Sequence, residues 1–211
     1  MGVPSVFLRL QACNLLCEFP CDTIEVWKKG SPYTIYELKE LFEKEGYLNL
    51  LMHNAHLILT GGEPLLQQDA LYKFYRLMHF IFYVEVETNC TIMPTHEFYN
   101  IVNQFNCCPK TSNSGIPKER RYKPEVIEKF ASNVNTPFKF VIDKEEDIRE
   151  VLEDFVVPFY LSNDRIWLMP QCITREQLHE KQQMVANLCK KYGFNFSSRL
   201  QIDLWDKCTG V

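Results

Sequence analysis

The chain has 211 residues and a net charge of −4, from 27 acidic and 23 basic residues. This balance excludes a broad basic surface for nucleic acid or for an anionic membrane. No segment reaches the roughly 20 apolar residues of a membrane-spanning helix, and the N-terminus lacks the basic start and apolar run of a signal peptide. We therefore expect one globular domain in the cytoplasm.

From the N-terminus, the apolar run SVFLRLQ (5–11) predicts a strand that leads directly into a cysteine-rich loop. The segment 31–46 predicts a helix capped by Thr34, with Glu37 three residues later and Gly46 at its end. The chain then alternates regularly, with a strand that runs into a glycine turn at 56–64, a helix at 65–81, a strand at 83–89 and a helix at 94–105.

Between 106 and 122 the periodicity vanishes, and polar residues, Gly and Pro predict a loop that is long enough to be functional. The alternation then resumes, with a helix at 123–133, a strand at 138–143, a helix at 144–155, a strand at 166–170, a helix at 174–193 and a final strand at 196–205.

Repeated βα units predict an α/β fold whose mostly parallel sheet is closed or bent toward a barrel. Ligands of such folds bind at the carboxyl ends of the strands. Four polar segments follow predicted strands, namely 13–23, 60–64, 88–89 and 106–122. We expect them to meet at one rim of the sheet and to form the functional site.

Nine cysteines are many for a cytoplasmic chain of this size. Because cytosolic thiols are kept reduced, ligation of a metal or cluster explains them better than a disulfide framework does. Six are scattered, and we interpret each as a small apolar filler of the interior: Cys90, Cys107, Cys108, Cys172, Cys189 and Cys208.

The remaining three cysteines, Cys13, Cys17 and Cys21, lie within the segment CNLLCEFPCDT. Three cysteines on one loop do not complete the four-ligand set of structural zinc. A [4Fe-4S] cluster held by three cysteines leaves one iron available for an exogenous ligand. We therefore predict that these three residues bind such a cluster.

This loop, together with the later turn Thr60-Gly61-Gly62-Glu63-Pro64, resembles the radical S-adenosylmethionine superfamily. The resemblance implies that the open iron binds S-adenosylmethionine, whose reductive cleavage gives a 5′-deoxyadenosyl radical. In that setting the glycines let the backbone approach the cofactor closely, and Glu63 pairs with the methionyl ammonium. The alternative interpretation of this turn is a simple helix start.

Within that superfamily the chain resembles the 7-carboxy-7-deazaguanine synthases over nearly its whole length. The matching segments follow one another in the family's order: Phe7-Leu8-Arg9-Leu10, the cysteine loop through Cys21-Asp22-Thr23, Glu87-Thr88-Asn89, Pro109-Lys110, Lys139-Phe140-Val141 and the tail at 206–211. The resemblance implies one domain over 1–211 with an incomplete (β/α)6-type barrel. It also implies conversion of 6-carboxy-5,6,7,8-tetrahydropterin into 7-carboxy-7-deazaguanine with loss of ammonia, in the biosynthesis of queuosine-type 7-deazaguanines.

The resemblance further assigns roles to individual residues. Thr23 would ligate Mg²⁺, with a helix cap as the alternative role, and Arg9 would pair with the substrate carboxylate, with a surface salt bridge as the alternative. Thr88 and Asn89, at the end of a predicted strand, would bind the pterin substrate or else the cofactor, with a local turn as the alternative role. The cofactor contacts would be Gly61, Gly62, Glu63, Pro64, Cys108 and Lys110. The implied partners are a small-molecule pterin, an electron donor such as flavodoxin or ferredoxin, and a second copy of the chain in a homodimer.

The chain departs from the family pattern in several places. The second gap between the cysteines has three residues instead of two, Pro20 replaces an aromatic residue, and Cys108 stands where the family has serine. We also expect that the N-terminal strand and Gln-Gly-Glu loop usual in the family are missing. Two other functions therefore remain open, an activase of a glycyl radical enzyme and a degenerate cluster-binding protein without activity.

Overall fold

Among the residues that the computed structural model describes, 3–17 and 27–207, seven strands form one parallel sheet in chain order. The strands are β1 (Ser5–Leu10), β2 (His56–Gly61), β3 (Val84–Thr88), β4 (Gln104–Cys107), β5 (Phe138–Ile142), β6 (Ile166–Pro170) and β7 (Asn195–Phe196). The predicted α/β fold class with a mostly parallel sheet is confirmed.

Helices occupy most of the connections between the strands. The α-helices are α1 (Ile35–Lys44), α2 (Tyr47–Met52), α3 (Gln68–Leu77), α4 (His96–Ile101), α5 (Lys118–Arg121), α6 (Pro124–Ala131), α7 (Asp147–Glu150), α8 (Arg175–Tyr192) and α9 (Leu200–Trp205). Short 3-10 helices lie at Pro64–Gln67, Ser112–Ser114 and Asn163–Arg165, and α7 continues into a π-helical segment at Val151–Val156. None of the described helices is long and apolar enough to cross a membrane.

The chain divides into two compact units. The first unit comprises the described residues of 1–14, 24–88 and 92–105, and the second those of 15–23, 89–91 and 106–211. The candidate residues fall in both units, and their contacts are given below within each unit.

In the first unit, β2 pairs with β1 on one side and with β3 on the other, and Thr60 of β2 lies opposite Arg9 of β1. Strand β2 is buried along most of its length because helices pack on the sheet beside it. The buried rings of Phe42 on α1 and Phe74 on α3 meet edge to face at 5.2 Å. This packing fixes the strands whose carboxyl ends carry the candidate residues.

In the second unit, β5 is the central strand, and its apolar residues Phe138, Phe140 and Ile142 have no exposed surface. The ring of Phe140 contacts Phe155 of the π-helical segment at 5.0 Å. Burial of each such side chain contributes about 1.5–3 kcal/mol. The segment after α7 is therefore anchored to the sheet.

The helix ends follow the predicted signals. Thr34 and Glu37 form the predicted capping box at α1, with Glu37 Oε2 accepting from the Thr34 backbone N–H at 2.7 Å. This backbone hydrogen bond lowers the pKa of the Glu37 carboxyl. Gly193 ends α8 in the left-handed conformation that a glycine adopts without strain.

Two predicted elements were wrong. The helix expected at 94–105 ends at Ile101, and residues 104–107 form β4, whose four residues are too few for a clear alternation. The strand expected at 196–205 is two residues of β7 followed by α9, although Leu200, Ile202 and Leu204 alternate as in a strand. Only Ile202 is buried, against Cys172 and Leu178, and the helix leaves the two leucines exposed.

Candidate active site

Cys13 and Cys17 follow the carboxyl end of β1, and both are partly exposed. A cluster ligand must be reachable by iron, and a thiolate is the donor that iron–sulfur clusters use. The donor chemistry of these two residues therefore fits the predicted cluster. Cys21 and Thr23 lie outside the described residues, so the complete cluster set and the magnesium ligand remain predictions.

The scattered cysteines have a different environment. Cys90, Cys107, Cys172 and Cys189 are buried, which confirms that they fill the interior, while Cys108 is half-buried and Cys208 lies outside the described residues. Burial raises the pKa of the Cys172 thiol to about 11, partly offset by Lys181, and burial also raises the pKa of Cys189. A buried neutral thiol is a poor ligand, because the thiolate is the species that binds metal.

The turn after β2 packs directly on the residues that precede Cys13. The backbone N–H of Gly62 donates to the Leu10 carbonyl at 3.2 Å, and that of Glu63 donates to the Ala12 carbonyl at 2.9 Å. A Cβ on Gly62 would lie 1.9 Å from the carbonyl oxygen of Ala12 and 2.8 Å from Cys13 Cβ. Glycine is therefore required here by the approach of two backbone segments, whatever else the turn binds.

The residues before Cys13 are held from other sides as well. The backbone N–H of Ala12 donates to the Trp27 carbonyl at 3.4 Å, and Gln67 Nε2 donates to the Gln11 carbonyl at 2.9 Å. Ala12 itself has a φ of 75°, a left-handed conformation that alanine rarely adopts. The start of the cysteine loop is thus fixed at the expense of local backbone strain.

Glu63 is fully buried and begins the 3-10 helix at 64–67. Its Oε1 accepts hydrogen bonds from the Leu65 backbone N–H at 3.1 Å and from the Thr88 hydroxyl at 2.9 Å. The helix start, the alternative interpretation of this turn, is therefore present. The same hydrogen bonds fix the orientation of the buried Glu63 carboxylate, which follows directly after Gly62. Pro64, next to it, is buried.

A second polar group lies across the first three strands. Arg9 is exposed on β1 and sits opposite Thr60, so both side chains leave the same face of the sheet. The Thr60 hydroxyl donates to Glu87 Oε2 on β3 at 3.2 Å. Arg9, Thr60 and Glu87 thus form a row of polar side chains across β1, β2 and β3. The cation and the carboxylate of this row suit a ligand that carries both a carboxylate and N–H donors.

The candidate residues of the second unit lie in turns and in the long loop. Asn89 is buried, and its Oδ1 accepts from the backbone N–H of Thr91 at 3.1 Å and from the Thr91 hydroxyl at 2.6 Å. The local turn, the alternative role of Asn89, is therefore present. The Cys108 thiol donates to the Asn106 carbonyl at 3.7 Å, and Lys110 is half-buried, with its carbonyl accepting from Arg121 at 3.2 Å.

The structure thus groups some predicted residues and adds others. Cys13, Gly62, Glu63 and Thr88 are connected within the first unit by the contacts above, and Gly61 lies against Leu10, since a Cβ on Gly61 would lie 2.2 Å from the Leu10 carbonyl oxygen. Glu87 belongs to the Glu-Thr-Asn motif and its partner Thr60 to the glycine turn motif, but neither residue is assigned a role by the sequence. The sequence of β3, Val-Glu-Val-Glu-Thr, alternates, and its glutamates are less buried than their neighbours. This alternation is the signal that places Glu87 and Thr88 on opposite faces of the sheet.

Comparison with curated proteins relates the chain to enzymes of one name. It is 31% identical over 211 residues to the 7-carboxy-7-deazaguanine synthase of Pyrobaculum aerophilum, covering 100% of this chain and 90% of that protein. It is 28% identical over 226 residues to the synthase of Halobacterium salinarum, covering 97% and 84%. No protein-family profile matches the chain.

Solved structures share the fold. QueE from Escherichia coli matches with a TM-score of 0.63 and 19% identity, covering 94% of this chain and 86% of that chain. Streptococcus suis SuiB bound to S-adenosylmethionine matches with a TM-score of 0.57 and 13% identity, covering 93% of this chain and 51% of that chain. At these identities the likeness concerns the fold, and it agrees with the parallel α/β architecture predicted from the sequence.

Proposed function

This chain belongs to the 7-carboxy-7-deazaguanine synthase family, and on that premise we propose that it converts 6-carboxy-5,6,7,8-tetrahydropterin into 7-carboxy-7-deazaguanine. The reaction contracts the pterin ring and releases ammonia, which makes the protein a carbon–nitrogen lyase of 7-deazaguanine biosynthesis. The observation that carries the proposal is the packing of the turn at 61–63 on the residues before Cys13. It joins a buried carboxylate to the loop of the predicted cluster cysteines.

Cys13, Cys17 and Cys21 would hold a [4Fe-4S] cluster, and Cys13 and Cys17 are accessible thiols that suit it. When bound, the cluster and S-adenosylmethionine supply the hydrogen-abstracting chemistry of the radical enzymes that this chain resembles. The protein contributes binding, orientation and exclusion of water. Glu63 would accept hydrogen bonds from the methionyl ammonium, with its orientation set by the hydroxyl of Thr88.

The row across β1, β2 and β3 would bind the pterin. Arg9 would pair with the carboxylate of the substrate, since a guanidinium presents two parallel N–H donors to a carboxylate. Glu87 would accept from N–H groups of the pterin ring, and Thr60 would hold Glu87 in place through the 3.2 Å hydrogen bond between them. Thr23 would complete the substrate site as a ligand of Mg²⁺, a hard cation that prefers oxygen donors.

The residues of the second unit would contribute from their own loops. Asn89 would bind substrate from its turn, in which its Oδ1 accepts two hydrogen bonds from Thr91. Cys108 and Lys110 would contact S-adenosylmethionine. We further propose a small electron-transfer protein such as flavodoxin or ferredoxin as reductant, a homodimer as the working form, and the cytoplasm as its location.

The test is anaerobic reconstitution with iron and sulfide, followed by incubation with reductant, S-adenosylmethionine and Mg²⁺. We expect 5′-deoxyadenosine to form much faster when 6-carboxytetrahydropterin is present than when it is absent. A rate that does not respond to the pterin, but rises with a glycyl radical enzyme, would assign the chain as an activase. An intact cluster without any cleavage of S-adenosylmethionine would identify a degenerate cluster-binding protein.

A further inference from the structure

Arg121, the last residue of α5, is a charged residue buried in the second unit, with 4% of its surface exposed. Its Nε donates to the carbonyl of Ile116 at 3.0 Å, and its Nη1 donates to the carbonyl of Lys110 at 3.2 Å. The same Nη1 pairs with Glu150 Oε1 at 2.7 Å. One guanidinium therefore connects two points of the long loop to α7.

Glu150 uses its other oxygen on the same loop. Its Oε2 accepts from the backbone N–H of Ser112 at 2.8 Å and from the Ser112 hydroxyl at 2.6 Å. Asp147, on the same face of the chain one turn earlier, accepts from Asn113 Nδ2 at 2.8 Å and from the Asp143 backbone N–H at 2.8 Å. Two carboxylates of α7 and one buried arginine thus fix the loop from 110 to 116.

This loop has little regular structure of its own, with one turn of 3-10 helix at 112–114. Ordering such a segment costs conformational entropy, which contacts with the rest of the protein must offset. Charge-assisted hydrogen bonds in a buried setting are the strong form of such contacts. Removing Arg121 would leave the carboxylate of Glu150 without its cation and would free two carbonyls of the loop.

We propose that Arg121 and Glu150 are positioning residues that hold the segment of Lys110 in the conformation that binds S-adenosylmethionine. The inference rests on the proposed function, in which Lys110 contacts that cofactor. Arg121 acts on Lys110 through the backbone, by its hydrogen bond to the Lys110 carbonyl. Arg121 thereby sets the fraction of molecules in which the segment of Lys110 has the conformation that binds S-adenosylmethionine.

Loss of the ion pair between Arg121 and Glu150 should weaken the binding of S-adenosylmethionine. If loss of the ion pair leaves the loop in its binding conformation about one tenth of the time, the apparent Kd for S-adenosylmethionine rises about tenfold. The KM for S-adenosylmethionine rises with it, while kcat at saturation changes little. Iron content stays at the wild-type level, because neither residue is a predicted cluster ligand.

The experiment compares reconstituted wild type with Arg121→Ala, Arg121→Lys and Glu150→Gln, and uses Arg149→Ala as the matched control. Arg149 lies on α7 next to Glu150 and forms an ion pair of 2.7 Å with Glu153, but its side chain is 80% exposed. Hydrogen exchange of residues 108–117, iron content and Kd for S-adenosylmethionine are measured for each protein. Glu150→Gln preserves the size and shape of the side chain, so it tests the same ion pair if Arg121→Ala fails to fold.

We expect faster exchange at 108–117 and at least about tenfold weaker binding for Arg121→Ala and Glu150→Gln, partial recovery for Arg121→Lys, and wild-type behaviour for Arg149→Ala. Unchanged exchange would show that the pair does not order the loop. Faster exchange with wild-type affinity would show that the ordered loop does not serve the cofactor, and either result would overturn the proposal. Failure of wild type itself to bind S-adenosylmethionine would instead contradict the proposed function, and the cofactor part of this proposal with it.

Discussion

The carbonyl oxygen of Ala12 occupies the space in which a side chain on Gly62 would begin, because a Cβ there would lie 1.9 Å from it. Two backbone segments, one before the first predicted cluster cysteine and one after β2, therefore depend on each other. Residue 62 has no room for any side chain, and residue 12 adopts a left-handed conformation beside it.

We predict that Gly62→Ala destabilises the fold by at least about 3 kcal/mol, the upper range for an overpacked position, because backbone atoms must move. It should also lower iron incorporation, since Cys13 Cβ is among the atoms displaced. The control is Gly46→Ala, where φ is +74° and a Cβ meets nothing within 4 Å. There the cost is about 1–2 kcal/mol of left-handed strain alone. Equal losses for the two variants in denaturant unfolding would contradict the steric account.

Ala12→Gly should stabilise the protein. Glycine adopts the φ of 75° without strain, and relief of about 1–2 kcal/mol exceeds the entropy that glycine adds to the unfolded chain, about 0.4–1 kcal/mol. The same substitution at Ala70, an exposed position in α3, should cost about 1 kcal/mol instead. Opposite signs in the two unfolding free energies are the expected result, and a loss of stability at both positions would refute it.

Glu87→Gln should raise the KM for the carboxylated pterin about tenfold or more, the loss expected when a charged hydrogen-bond acceptor is neutralised. The KM for S-adenosylmethionine should change by less than about twofold, because the row of Arg9, Thr60 and Glu87 is proposed to bind only the substrate. Glu85→Gln is the matched control, since Glu85 leaves the same face two residues earlier and bonds to His56 at 2.6 Å. Equal effects of the two variants on the KM for the pterin would place the substrate elsewhere.

The buried thiol of Cys172 should make stability depend on pH in the alkaline range. Its pKa is about 11 in the folded protein and 9.0 for an ordinary thiol, the difference being due first to burial. Between these values the unfolded chain releases a proton that the folded chain retains, so its contribution is complete below pH 9 and is lost as the pH rises toward 11. Cys172→Ala should lower stability at neutral pH but lose less of it over this interval. Parallel pH profiles of unfolding free energy for the two proteins would exclude the effect.

Much of the fold was accessible from the sequence because β2 and β6 are apolar runs and β3 and β5 alternate between buried apolar and less buried residues. Thr34 and Gly193 mark the ends of helices. Strand β4 was missed because four residues give too little pattern. The segment at 196–205 was misassigned because Leu200, Ile202 and Leu204 fit a strand as well as a short helix, and only the burial of Ile202 decides between them.

The candidate site, like the fold, could be predicted from the sequence only in part. Residue types and order identified the cysteine loop, the glycine turn and the Glu-Thr-Asn segment, but the contacts they make depend on register across strands. The sequence suggested that Gly62 lets a cofactor approach, whereas the packing of Ala12 already requires a glycine there. Arg121 had no signal at all, because within the run Lys-Glu-Arg-Arg nothing separates a buried arginine from its exposed neighbours.

Mass analysis of the product formed by the reconstituted chain with reductant, S-adenosylmethionine, Mg²⁺ and 6-carboxytetrahydropterin tests the proposed function directly. The proposed function requires 7-carboxy-7-deazaguanine from the wild type over several turnovers, and none from Cys13→Ala, whose cluster would be incomplete. A wild-type protein with a full complement of iron that cleaves S-adenosylmethionine but forms no deazaguanine would contradict it.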